Sequence, residues 1–204
     1  MAWRNVWKSP LGAGLGLVVH GILLTFIPAD WILTLRPVSS SAGVGLGFGI
    51  EQMFAALAFA TLLPQRIATP RANRDLAGMM LTTLLATVYF DYMQFVIIWY
   101  GNIPDKVNWF VTRAYGVWPV VMFVGFALGA AIPFLAILHP RVRANAGPLR
   151  ILGVLVLTGI ALHIAWLTLP VFGYGCVVPA LLSVIAVGLF VQMARLQPAR
   201  LRHG

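Results

Sequence analysis

The sequence predicts an all-α fold, a polytopic bundle of membrane-spanning helices, and three observations carry that expectation. Apolar residues make up 60% of the 204 and charged residues only 9%, where a soluble domain carries about 25% charged residues. The mean hydropathy is +0.90. The apolar residues fall into six runs, each long enough for the roughly 20 helical residues that a bilayer core requires, and short segments rich in proline and arginine separate them. The net charge of +9 is scattered over those segments in small clusters. It forms no continuous basic stripe, so it reads as membrane topology and not as a nucleic-acid surface. The single cysteine, Cys176, excludes an intramolecular disulfide and any Cys-based zinc or iron–sulfur site within the chain.

Each run is bounded by residues that interrupt helices. The first, 11–33, follows a basic leader (Arg4, Lys8) and passes Pro28 before Pro37; it lacks a small-residue cleavage site before Pro28 and is too long for a signal peptide, so it is expected to be retained. The second, 40–63, stops at Pro64 and Pro70, and the third covers 75–100. The fourth, 117–139, ends at Pro140; the fifth, 149–170, lies between Pro148 and Pro170; the sixth is 175–195. Arginine and lysine then set the orientation. Arg4, Lys8, Arg66, Arg71, Arg74, Arg141, Arg143, Arg150, Arg195, Arg200 and Arg202 fall on one side, against Arg36, Lys106 and Arg113 on the other. The positive-inside bias places both termini in the cytoplasm. The expected organisation is one transmembrane domain over 1–204, with the lipid bilayer as its first partner.

Small residues four apart mark candidate helix contacts: Gly12 and Gly16 below His20, Gly43 and Gly47 below Glu51, and Gly125 and Gly129 before Pro133. Ionisable residues inside the runs say more, because a charge at the bilayer centre costs at least about 2.5 kcal/mol. His20, Glu51, Asp91 and His163 all fall within about 6 Å of the midplane on these spans, at about 1.5 Å per residue. Thr83, Thr87, Asp91 and Gln94 form one polar stripe on the third helix, which must face protein or water. Asp91 could glue helices together by pairing with His163 or His20, or it could serve in proton transfer or contact a quinone headgroup. Glu51 carries the same alternatives, with fewer polar neighbours on its own helix. His20 and His163 are the only buried histidines that could pair on a haem, while His139 and His203 fall in basic, solvent-facing positions.

After the third helix, Trp99, Tyr100, Trp109, Tyr115 and Trp118 suit an interfacial aromatic belt. Between them, Asn102 can cap, Pro104 fits a first helical turn, Asp105 complements the N-terminal dipole and Arg113 the C-terminal one. A short amphipathic helix over 104–113, lying on the external membrane surface, is the expectation.

The stretch "QFVIIWYGNIPDKVNWFVTR" (94–113) resembles the pattern Q-[FY]-[LV]-I-I-W-x-[GA]-N-[IL]-P-[ED]-[ED]-x-x-[WY]-[FY]-x-x-R of the ActF-type membrane subunit of alternative complex III, the bacterial quinol:cytochrome c oxidoreductase. "FIPADWILTLRP" (26–37), "AALAFATLL" (55–63), "RDLAGMMLTTLLATVYF" (74–90), "IPFLAILHPRVR" (132–143) and "HIAWLTLPVFG" (163–173) follow that family's order. The likeness covers about residues 22–174. Members of that family, related to NrfD and polysulfide-reductase membrane subunits, are about twice as long, so this chain resembles a short relative of their latter half. Asp91 and Met93 depart from the pattern, as does Lys106.

The resemblance implies an accessory membrane subunit that binds no redox cofactor itself and scaffolds a haem- and iron–sulfur-bearing respiratory complex, in contact with a cytochrome subunit or terminal oxidase. A quinone would be the only small-molecule cofactor within reach. Asp91, Glu51, His163, His20, Gln94 and Thr87 are the candidate proton-path or quinone contacts. Trp99, Tyr100, Asn102, Pro104, Asp105, Trp109 and Arg113 are the candidate partner-docking residues. The competing expectation is a stand-alone transporter or proton-conducting channel that uses the His20, Glu51, Asp91 and His163 layer as its relay.

Overall fold

A computed structural model describes residues 10–28, 43–63, 69–101 and 104–172, all in helices and the turns that join them. Two compact units divide the chain, 1–167 and 168–204. In the second, the described residues form a single 3-10 turn, Leu169–Val171; the expected sixth run, 175–195, lies outside the described residues. Among the described residues, four helices are long and apolar enough to cross a membrane.

The helices are α1 (Pro10–Pro28), α2 (Gly43–Leu62), α3 (Pro70–Tyr100), α4 (Pro104–Val111), α5 (Trp118–Phe126), α6 (Ile132–Leu138), α7 (Pro140–Ala144) and α8 (Ala146–Thr168). A π-helical segment, Ala127–Ala131, joins α5 to α6, so that Trp118–Leu138 forms one spanning rod. The segment has a local cause in Pro133, which lacks an N–H for a carbonyl one turn back. The Ile132 N–H reaches to the Ala127 carbonyl, five residues away, which widens the turn.

α3 begins earlier than hydropathy suggests. Pro70 occupies its first turn and the Thr69 hydroxyl accepts from the Ala72 N–H at 3.2 Å, a favourable start for any helix. Its 31 residues span about 46 Å at 1.5 Å per residue, against a hydrocarbon core of about 30 Å. A short helix is present in the expected stretch as α4, followed by a turn in which Gly116 takes a φ of 70°.

The core occupies one end of the bundle. Phe54 and Ala58 of α2, Ala77, Met80 and Leu84 of α3, Ile137 of α6, and Leu149, Leu152 and Val156 of α8 pack together. Apolar burial alone gives little drive here, since lipid tails are as apolar as leucine, so close backbone approach decides the packing. Gly153 of α8 lies against α2, where a Cβ would meet the Thr61 hydroxyl and would come within 2.7 Å of the Ala58 carbonyl. Asn73, 3% exposed, donates its Nδ2 to the Ala144 carbonyl at 3.0 Å and so ties the first turns of α3 to α7. α7 is itself capped by His139, whose Nδ1 accepts from the Arg141 N–H, and closed by Asn145, whose Nδ2 donates to the Arg141 carbonyl.

Candidate functional site

Above the core, toward the end of the bundle that carries α4, the helices part around a cavity of about 570 Å³, within the usual range for small-molecule sites. Two seams create it. Gly47 of α2 passes α3 closely enough that a Cβ would lie 3.7 Å from that of Phe90. On the other side, Gly159 of α8 crosses the π segment at Gly129, where a Cβ would collide with the backbone. Both expected small-residue faces, Gly43/Gly47/Glu51 and Gly125/Gly129/Pro133, thus include helix contacts. One turn past the first seam stands Glu51; one turn past the second stands His163.

These two side chains meet. His163 Nδ1 lies 2.8 Å from Glu51 Oε1, and Glu51 is only 6% exposed. Intramembrane ionisable groups are expected to pair toward the bundle interior, and this pair does so. One proton occupies the contact, either on Nδ1 facing a carboxylate or on the acid facing a neutral ring nitrogen. The arrangement can therefore hold, accept or release a proton without rebuilding its geometry. Asp91, Thr87 and Gln94 line the same cavity from α3. The Thr87 hydroxyl donates back to the Thr83 carbonyl at 2.9 Å, leaving its oxygen as an acceptor. At about 1.5 Å per residue, Glu51 lies roughly 12 Å from Gly43, Asp91 roughly 13 Å short of Tyr100 and His163 roughly 8 Å short of Thr168.

The expected polar layer is thus assembled for three of its four members. His20 does not line the cavity, and its side chain is exposed on α1. The pair offered to a haem, His20 and His163, therefore frames no common space. Of the alternatives open for Asp91, a direct hydrogen bond to His163 is not the one formed: that bond goes to Glu51, which apolar neighbours on its own helix had made the weaker candidate. Its partner comes from α8, 112 residues away. Of the polar stripe, Thr83 turns its hydroxyl to the Met79 and Met80 carbonyls, while the other three reach the cavity.

Aromatic rings make up much of the remaining wall, among them Phe48, Phe90, Phe95 and Phe126. α4 closes one side with Trp109 and Phe110. Trp109 meets Trp166 of α8 edge to face at 5.4 Å, and Phe110 meets Phe95 at 5.3 Å. Arg113 fastens this cover. Only 2% exposed, it donates from Nε to the Trp166 carbonyl (3.2 Å), from one terminal nitrogen to Leu167 (2.8 Å) and from the other to Trp109 (3.1 Å). Its guanidinium also sits 3.7 Å from the Trp109 ring centroid.

Arg113, expected on a docking face, is therefore turned inward, because the last carbonyls of α8 need donors and a guanidinium supplies several at once. Trp109 is half-buried with it. Trp99 and Tyr100 do face outward, Tyr100 at 84% exposure. Asn102 and the side chains of Pro104 and Asp105 lie outside the described residues. Sequence reasoning missed Trp166 and Phe110 as cavity walls; the spacing of Trp109 and Arg113, four residues apart across the end of a short helix, was the available sign of a stacked cation.

No family model matches the chain, and no curated protein matches it.

Proposed function

We propose that the chain is an accessory integral membrane subunit of a respiratory electron-transfer assembly, with six spans and both termini cytoplasmic, in which the Glu51–His163 pair and Asp91 hold protons beside a site for a quinone headgroup. The observation that carries the reading is the cavity itself: a hydrogen-bonded acid–imidazole pair, a second carboxyl and an amide on the wall of an otherwise apolar chamber, aliphatic and aromatic, inside a membrane bundle. A planar headgroup with carbonyl or hydroxyl edges fits such walls, with Gln94, Thr87 and His163 as its polar neighbours. The resemblance to the ActF-type subunit of alternative complex III supplies the choice of assembly. The inner membrane of a bacterium and a haem-bearing cytochrome or terminal oxidase as neighbour belong to the same proposal, with Trp99 and Tyr100 on the outward side of the docking segment. A stand-alone proton channel is the weaker reading, since His20 stays outside the cavity and the relay loses one group.

The test starts with the full chain, tagged and extracted from its native membranes in mild detergent. Stoichiometric recovery with haem-bearing partners is expected; recovery as a homo-oligomer by itself would overturn the assembly. Within the assembly, Glu51→Gln and Asp91→Asn should each lower quinol turnover about tenfold or more, within the range for groups that move a proton in the reaction, while His20→Ala leaves it unchanged. Equal turnover in all three variants would remove the chemical role.

A further inference from the structure

The opposite end of the bundle carries a second site of different chemistry. Arg71 and Arg74 project from the first turns of α3, Arg141 and Arg143 from α7, and Arg150 from the start of α8. α7 is docked against the beginning of α3 by the bond from Asn73 to Ala144, and one residue, Asn145, separates α7 from α8. The five arginines therefore share one end of one rigid corner. Arg71, Arg74, Arg141 and Arg150 are exposed. Asp75 is the one acid on these turns, and among the described residues no carboxylate lies within ion-pair distance of any of the five arginines.

For Arg71, Arg74 and Arg150 this placement runs against the helix dipoles, whereas Arg141 and Arg143 stand in the last turn of α7, where a cation is favoured. The N-terminal ends of α3 and α8 are positive, and neither has an acidic residue in its first turn; carboxylates are favoured there, not guanidinium groups. An external anion relieves both the dipoles and the mutual repulsion of the arginines. Arg143 adds a further mark, since its Nε is buried with no acceptor, so its guanidinium is held partly against the protein. Next to the arginines along the same helices, Leu138 of α6 and Ile151 and Val154 of α8 are exposed apolar side chains. A ligand matching both features carries a phosphate at one end and hydrocarbon at the other.

We infer that the corner formed by the first turns of α3, by α7 and by the start of α8 is a binding site for the headgroup of an anionic phospholipid, whose acyl chains lie along Leu138, Ile151 and Val154. Basic pockets at the edge of a helix bundle bind such lipids with an affinity set by the count of cationic groups near the surface. The contribution of one arginine corresponds to about fivefold in lipid affinity, and of two to about thirtyfold.

The experiment compares retention of phosphatidylglycerol and phosphatidylcholine by the full chain in detergent, read by native mass spectrometry. Preferential retention of phosphatidylglycerol is expected, falling about thirtyfold in Arg141→Gln/Arg143→Gln and remaining in the tail variant Arg200→Gln/Arg202→Gln. Circular dichroism establishes that each variant keeps its helices; should the α7 variant lose them, Arg71→Gln/Arg74→Gln on the long α3 is read in its place. Equal retention of both lipids, or an unchanged preference in a folded corner variant, overturns the site. Inorganic phosphate at millimolar concentration tests the free anion: displacement of phosphatidylglycerol by phosphate alone would overturn the lipid as occupant.

Discussion

The two ends of this bundle solve the same problem in opposite ways. At the arginine end, Ala58, Ala77, Met80, Ile137 and Val156 pack together without exposed surface, and Arg71, Arg74, Arg141 and Arg150 are exposed. At the other end the same helices separate around about 570 Å³, and Glu51, Asp91 and His163 line the space. The difference teaches where a membrane protein can leave a hollow. In lipid there is no hydrophobic penalty for parting two apolar helices beyond their lost packing contacts, so a cavity can persist if seams elsewhere hold the backbones. Here Gly153 and Asn73 hold one end, while Gly129, Gly159 and Arg113 frame the other.

The sharpest way to break the comparison is to remove the clamp over the cavity. Arg113→Ala takes away three bonds to carbonyls and the stacking on Trp109; charge-assisted bonds of this kind are each worth up to about 3 kcal/mol net, and three share one side chain. A loss of about 3 kcal/mol is expected in detergent unfolding of the full chain, with Trp109 fluorescence shifting as α4 detaches. Arg113→Lys should recover less than half, because an ammonium lacks the planar fork that spans three acceptors. Equal stability of the alanine variant would mean that α4 is held by its aromatic face alone.

A smaller effect tests whether the cavity's polar wall is structural or poised for chemistry. Glu51→Gln, His163→Ala and their combination form a double-mutant cycle, and coupling of about 1–2 kcal/mol is expected, near the upper end measured for hydrogen bonds inside membrane bundles. Coupling near zero would leave the 2.8 Å contact without energetic weight. The smallest effect belongs to the packed end: Asn73→Ala removes one bond to the Ala144 carbonyl and should cost about 1 kcal/mol in the same unfolding assay. A larger loss there than for Arg113→Ala would reverse the ranking of the two ends.

Much of the fold was legible because each cue acts locally. The apolar runs at 40–63, 75–100, 117–139 and 149–170 correspond to the four spanning helices, with prolines close to their ends. α4 followed from Pro104 and the amphipathic stretch after it. The beginning of α3 was misplaced because hydropathy reports affinity for lipid, whereas Thr69 and Pro70 report the start of a helix, and the two part company where the helix leaves the membrane. The π segment was not legible, since Pro133 could equally have kinked or ended its helix; only the passage of Gly159 against Gly129 shows what its widened turn accommodates.

The candidate site divides along the same line. Glu51, Asp91 and His163 stand out from composition alone, because any ionisable group in so apolar a chain requires a partner. Which partner each one takes depends on helix rotation and crossing. Those are set by glycine seams between helices distant in sequence; the i, i+4 spacing of glycines marks a contact face on one helix and does not say which helix it meets. The sequence by itself therefore determined the apolar surroundings these helices suit, the four described runs long and apolar enough to cross a membrane, and the residues too polar to be left facing lipid. Only the tertiary structure decided that Glu51 takes His163, that Arg113 turns inward to cap α8, and that one half of the bundle is filled while the other stays open. Transfer to a bilayer is a sum over residues and can be read along the chain; packing is a property of pairs brought together from its distant parts.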